Sequence, residues 1–111
     1  MEKTEISQKK KIYNLLHELI IFFVKENYKA YLLENEINII PDNELRDKIT
    51  EMYFQKKDNL KPFLKSSLQE ILKEDYIGDL MFENICTEIF SDDDLAIEKV
   101  YIEIDNYQKN M

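Results

Sequence analysis

Leu15-Leu16-His17-Glu18-Leu19-Ile20-Ile21-Phe22-Phe23-Val24 is the densest apolar run in the chain, and the architecture follows from how it is covered. Ile12, Leu15, Leu16, Leu19, Ile20 and Phe23 recur at three-four spacing, and Ala30, Tyr31 and Leu32 resume the pattern after Lys25-Glu26-Asn27. That period is helical. No glycine or proline interrupts residues 7–34, so one helix from about Ser7 to Glu34 is expected, about 40 Å long at ~1.5 Å per residue. The run is apolar nearly all the way round, whereas a surface helix shows a single stripe. It should therefore be wrapped by several helices or by another chain. A Phe23→Ala change is expected to cost about 3–5 kcal/mol if the ring is fully buried.

Working outward, Glu36 to Ile40 alternates and is rich in isoleucine, which favours an extended connector closed by Pro41. Asp42 and Glu44 suit the positive end of a second helix carrying Leu45, Ile49, Met52 and Tyr53. This helix is expected to stop near Gln55, with a turn at Lys56-Lys57-Asp58-Asn59. A third helix would then begin, with Pro62 in its first turn and Leu60, Phe63, Leu64, Leu68, Ile71 and Leu72 on one stripe. Residues 74–79, which include the single glycine, read as a loop before an apolar helix from Leu80 to Phe90. Ser91 is the expected cap of a last helix through Ile97, Val100, Tyr101, Ile104 and Tyr107.

The expected fold is an all-α, single-domain bundle of four to five helices over residues 1–111, with one long N-terminal helix and frayed ends at about 1–6 and 108–111. The alternative is an α+β chain with a minor strand pairing of residues 37–40 and 100–104, because Val100, Ile102 and Ile104 also alternate. At 111 residues and 44% hydrophobic content, the chain has enough apolar material for a core without metal or disulfide staples.

Charge is unevenly placed. Residues 1–73 hold twelve acids and thirteen bases, whereas residues 74–108 hold eleven acids and only Lys99. Lys9-Lys10-Lys11 opens the first helix, where cations oppose the helix dipole, so either the first turn frays or the triplet has an acidic neighbour, which the C-terminal third could supply. A net charge of −8 argues against direct nucleic-acid binding and permits a basic protein partner steered by the field. The longest apolar stretch is about ten residues, against roughly twenty needed to cross a bilayer, and no membrane partner is expected. The single Cys86 suits a reducing, cytoplasmic or otherwise intracellular setting. Fourteen lysines to one arginine, with fifteen isoleucines and nine asparagines, is the bias of AT-rich coding sequence, as in many phages and large DNA viruses.

Few residues can carry chemistry. One histidine and one cysteine do not make an ordinary zinc site. Asp92-Asp93-Asp94 with Glu98 lacks the alternate spacing and glycine of a calcium loop, and capping of the last helix accounts for it. Ser66-Ser67 has neither a glycine elbow nor a partner base, and no glycine-rich phosphate loop exists. No catalytic residue, metal or cofactor is expected. What remains is a non-enzymatic interaction module, an adaptor or inhibitor that docks on a basic protein surface. Its candidate partner-binding residues are Tyr28, Tyr31, Asp92, Asp93, Asp94, Glu98, Tyr101, Glu103 and Asp105. Two alternatives accompany it: a homo-oligomer, such as a homodimer, assembled through the long N-terminal helix, and an acidic mimic of nucleic acid that inhibits a nucleic-acid-binding enzyme.

Overall fold

The computed structural model describes residues 2–73 and 78–110, with side chains from residue 8 onward. It contains α1 (Glu2–Glu34), α2 (Asp42–Leu72), α3 (Asp79–Phe90) and α4 (Asp93–Lys109), an all-α bundle with no strand among the described residues. α1 has 33 residues, which at ~1.5 Å per residue is close to the molecule's 50 Å length. α2, at 31 residues, runs back beside it. α3 and α4 follow end to end as a third rod that packs on α1, with α4 also against α2. The four helices therefore form three rods of similar length.

This arrangement answers the question of what covers so long a first helix. Its inward stripe is Ile12, Leu16, Ile20, Val24, Tyr28 and Leu32, one residue every four, and all six are buried. Only two rods flank α1, so the opening run is not enclosed on every side. Phe22 is 54% exposed and Phe23 is half-buried against Phe63, with ring centroids 4.9 Å apart. The cost expected for a fully buried Phe23 therefore does not apply. Phe23→Ala is expected to lower stability by about 1–2 kcal/mol, part of the full transfer and cavity penalty, measured as the shift of a urea unfolding midpoint.

Three boundaries differ from expectation. α1 begins at Glu2 rather than near Ser7. α2 is one helix where two and a turn were expected, because its buried stripe of Leu45, Ile49, Met52, Tyr53, Leu60, Leu64 and Leu68 stays in phase across Lys56–Asn59. Lys57 bridges the gap, its ammonium 2.9 Å from Asp93 Oδ2. Pro62 stands inside this helix on an exposed side, where water can reach the carbonyl that loses its partner. The cap of α4 is Asp92, not Ser91: its Oδ1 accepts the Leu95 N–H at 3.1 Å, while the Ser91 hydroxyl donates to the Glu88 carbonyl. This carboxylate cap splits the third rod into α3 and α4.

The connector is also tighter than an extended segment. Glu36 has φ 54° and lies in the left-handed region, while Ile37 N–H reaches back to the Leu32 carbonyl at 3.0 Å. This is a Schellman-type stop in which glycine is usual, so the sequence did not advertise it. The rival strand pairing of 37–40 with 100–104 is replaced by a side-chain clip, since residues 100–104 are helical. Gln108 Oε1 accepts from Ile40 N–H at 2.8 Å and from the Tyr28 hydroxyl at 2.6 Å, and its Nε2 donates to the Ile40 carbonyl. Helix continues to Lys109. Of the expected loop at 74–79, residues 74–77 lie outside the described residues, and Gly78 is extended ahead of α3.

Candidate functional site

The acidic rod faces cations of the chain's own first two helices. Lys9–Glu88, Lys25–Glu103, Arg46–Glu98, Lys57–Asp93, Lys61–Glu83 and Lys65–Asp79 all bridge α3 or α4 to α1 or α2. The opening basic triplet thus has its acidic neighbour, with Lys9 3.6 Å from Glu88. Most of these pairs are half-exposed, and such pairs contribute about 0–1 kcal/mol each. Their effect is to set the register of the third rod and to cancel charge locally.

Among the candidate acids, Asp93 is held most firmly. The buried Tyr53 hydroxyl donates to its Oδ1 at 2.7 Å, and Lys57 donates to Oδ2. Burial works against its charge, but the hydrogen bonds from Lys57 and Tyr53 outweigh it and hold the carboxyl below its ordinary range. Burial first, then the bond to Asp93, pushes the Tyr53 phenol up. Glu98 lies 2.6 Å from Arg46, whose hydrogen bond lowers the carboxyl. Glu103 pairs with Lys25 at 3.3 Å and Asp105 with Lys109 at 2.8 Å. Asp92 is the cap, and the exposed Asp94 makes no ion pair among the described residues.

The candidate tyrosines are less available than expected. Tyr28 is fully buried and is withdrawn as a surface residue. Burial and the neighbouring Tyr107 push its phenol up to about 12, which keeps it a neutral donor to Gln108. Tyr31 is half-buried under Lys48, with the ammonium 4.7 Å from its ring centre, and Arg46 stacks 4.3 Å over Tyr101. Sequence reasoning selects these residues by type, but Tyr31 and Tyr101 each meet a cation of the same chain and Tyr28 is held by Gln108.

Reactive chemistry has little to work with. Cys86 is buried and free, and burial pushes its thiol up to about 11, so the thiolate that acts as a nucleophile is scarce at neutral pH. His17 is 3% exposed, and neither ring nitrogen has a hydrogen-bond partner among the described residues. Its ring meets Tyr13 edge-on at 4.7 Å. Burial lowers its pKa, Lys99 lowers it further and Asp92 opposes them. A general base needs a group that orients it, and among the described residues none hydrogen-bonds this imidazole. Among the described residues, no three His, Cys, Asp or Glu side chains converge to hold a metal ion.

One open surface lies between α1 and α2. A groove of about 400 Å³ is lined by Leu19, Phe22, Phe63, Ser66, Ser67, Glu70 and Ile71, none of them from α3 or α4. Ile71 is 51% exposed, comparable to Phe22, while Leu19 and Phe63 are half-buried. Further along the same two helices a more polar groove follows, lined by Asn27, Ala30, Tyr31, Glu34, Met52, Gln55 and Lys56. Sequence reasoning misses Phe22 because a run that is apolar nearly all the way round reads as core throughout. The signal available was that Leu15, Leu19 and Phe22 share an i, i+4, i+7 face distinct from the four-residue stripe of Ile12, Leu16 and Ile20. Among the described residues no helix is long and apolar enough to cross a membrane. Compared with protein families, curated proteins and solved structures, the chain matches none.

Proposed function

We propose that this chain is a non-enzymatic protein–protein interaction module whose docking surface is the apolar groove between α1 and α2. The observation that carries this reading is the exposure of Phe22 and Ile71 beside Leu19 and Phe63 in one continuous groove. Contiguous exposed apolar surface of this kind marks docking faces on soluble domains, and aromatic anchors in such a patch supply most of the binding energy. The pairing of six carboxylates with the chain's own cations favours this face over the acidic one. A partner that reads the groove is a protein, not nucleic acid, and the free thiol of Cys86 supports a reducing, cytoplasmic location.

A second reading keeps the acidic rod as the contact for a basic protein. Asp94, exposed and without an ion pair among the described residues, together with the net charge of −8, favours it. Acids already neutralised in pairs attract a basic surface less, and the same neutralisation weakens the case for a nucleic-acid mimic.

A photoreactive phenylalanine analogue placed at Phe22, or at the exposed Ile102 on α4, separates the two faces in cells that make the protein. Covalent protein adducts at position 22 and none at 102 are expected. Adducts at 102 alone would overturn the groove as the docking surface.

A further inference from the structure

We propose that the occupant of the α1–α2 groove is a second copy of this chain, packed groove to groove across a two-fold axis passing beside Phe22 and Phe63. The inference rests on the groove being the docking surface and adds the identity of the partner. In an isologous contact a patch faces itself, so any net charge it carries is set against an identical charge. That requirement disfavours the α3–α4 face, which carries acids such as the exposed Asp94 beyond those paired with the first two helices. The groove comes closest to meeting it: among the described residues Glu70 is the single charged side chain in its lining. A basic partner finds only the Glu70 carboxylate as a complement there. Two copies joined through their grooves hold the acidic rods on opposite outer sides, where repulsion is weakest.

Shape points the same way. The patch carries a knob, the Phe22 ring, and on the facing helix the small side chains Ser66 and Ser67 beside it. A two-fold axis through the patch brings each ring over the small residues of the other copy, so one groove is filled by the other's projection. The two hairpins together then form a four-helix layer, the packing that a three-rod bundle leaves incomplete on this side. The available area is sufficient. The molecule measures 50 × 24 × 21 Å, and half of its long face is roughly 600 Å² in outline, giving about 1,200 Å² over two copies, the lower edge of stable interfaces.

With a near-minimal area and one exposed aromatic anchor, the pairing is expected to be weak, with a dissociation constant on the order of micromolar. Sedimentation equilibrium of the purified protein from about 1 µM to about 300 µM spans it. The wild type is expected to pass from monomer to dimer within this range. Phe22→Glu, at an exposed position and with an unchanged unfolding temperature, is expected to weaken association by roughly 30-fold or more, and Ile102→Glu on α4 is expected to leave it unchanged. A wild type that stays monomeric throughout overturns self-pairing alone when position 22 still gives adducts to a different protein in cells. A dimer that tolerates Phe22→Glu and is broken by Ile102→Glu overturns both the pairing and the groove as the docking surface.

Discussion

Replacing Gln108 with alanine is expected to lower the unfolding free energy by about 2–4 kcal/mol, the largest single loss among the polar residues. The amide fastens three groups that have no other partner among the described residues: the hydroxyl of the fully buried Tyr28 and both backbone groups of Ile40, which is 3% exposed. Removing one partner of a buried polar group costs about 1–3 kcal/mol, because the group left behind has already lost its water. The clip also joins distant parts of the chain, tying the α1–α2 connector to the last turn of α4. Asn106→Ala, at an exposed position nearby, is expected to cost less than about 0.5 kcal/mol. Urea unfolding of both variants checks this, and a loss below about 1 kcal/mol for Gln108→Ala would show that water replaces the amide.

His17→Leu acts in the opposite direction. Both imidazole nitrogens are buried without partners among the described residues, a condition that costs about 1–3 kcal/mol, and leucine has a similar volume without the polar atoms. The variant is expected to be more stable than the wild type by about that amount at neutral pH. The pH dependence follows from the lowered pKa of His17. As pH falls below the ordinary value of 6.5, the unfolded chain takes up a proton that the folded chain refuses, so the wild type loses stability until the folded group also titrates. Lys99 nearby disfavours the imidazolium and Asp92 only partly offsets it.

The carboxyl of Asp93 is shifted down as well, but from an ordinary value of 3.8. The stability it contributes is present above that value and is lost only in stronger acid. Between about pH 7 and about pH 5 the loss therefore belongs to His17. Denaturation at those two pH values is expected to show a falling midpoint for the wild type and a nearly flat one for His17→Leu. A less stable variant would contradict the account of an unpartnered ring.

The all-helical architecture was legible because the three-four spacing of Ile12, Leu16 and Ile20, and of Leu60, Leu64 and Leu68, is a local property of the chain. The unity of α2 was not. Lys56–Asn59 followed by Pro62 resembles a turn and a restart, and what carries the helix through is the burial of Met52, Tyr53, Leu60 and Leu64 against the other rods, with the bond from Lys57 to Asp93 as a smaller aid. Charge asymmetry was visible in composition, and Lys9 hinted that the acidic third folds back on the basic part. That Glu98 and Glu103 meet Arg46 and Lys25 depends on the register of the third rod, which no local pattern records. The choice of Tyr28 as a surface residue failed for the same reason. Tyrosine is common at interfaces, but this one lies on the buried four-residue stripe of α1. The groove was hidden by a miscount of neighbours. An all-round apolar run implied enclosure, and only two rods cover it, which leaves Phe22 outside.

The most direct measurement is the yield of protein adducts at position 22 as salt is raised from about 0.05 M to about 0.5 M, a change that shortens the screening length from roughly 13 Å to roughly 4 Å. Docking through Leu19, Phe22, Phe63 and Ile71 predicts a yield that holds or rises. A yield that falls to background at high salt would contradict it and return the contact to the acidic face.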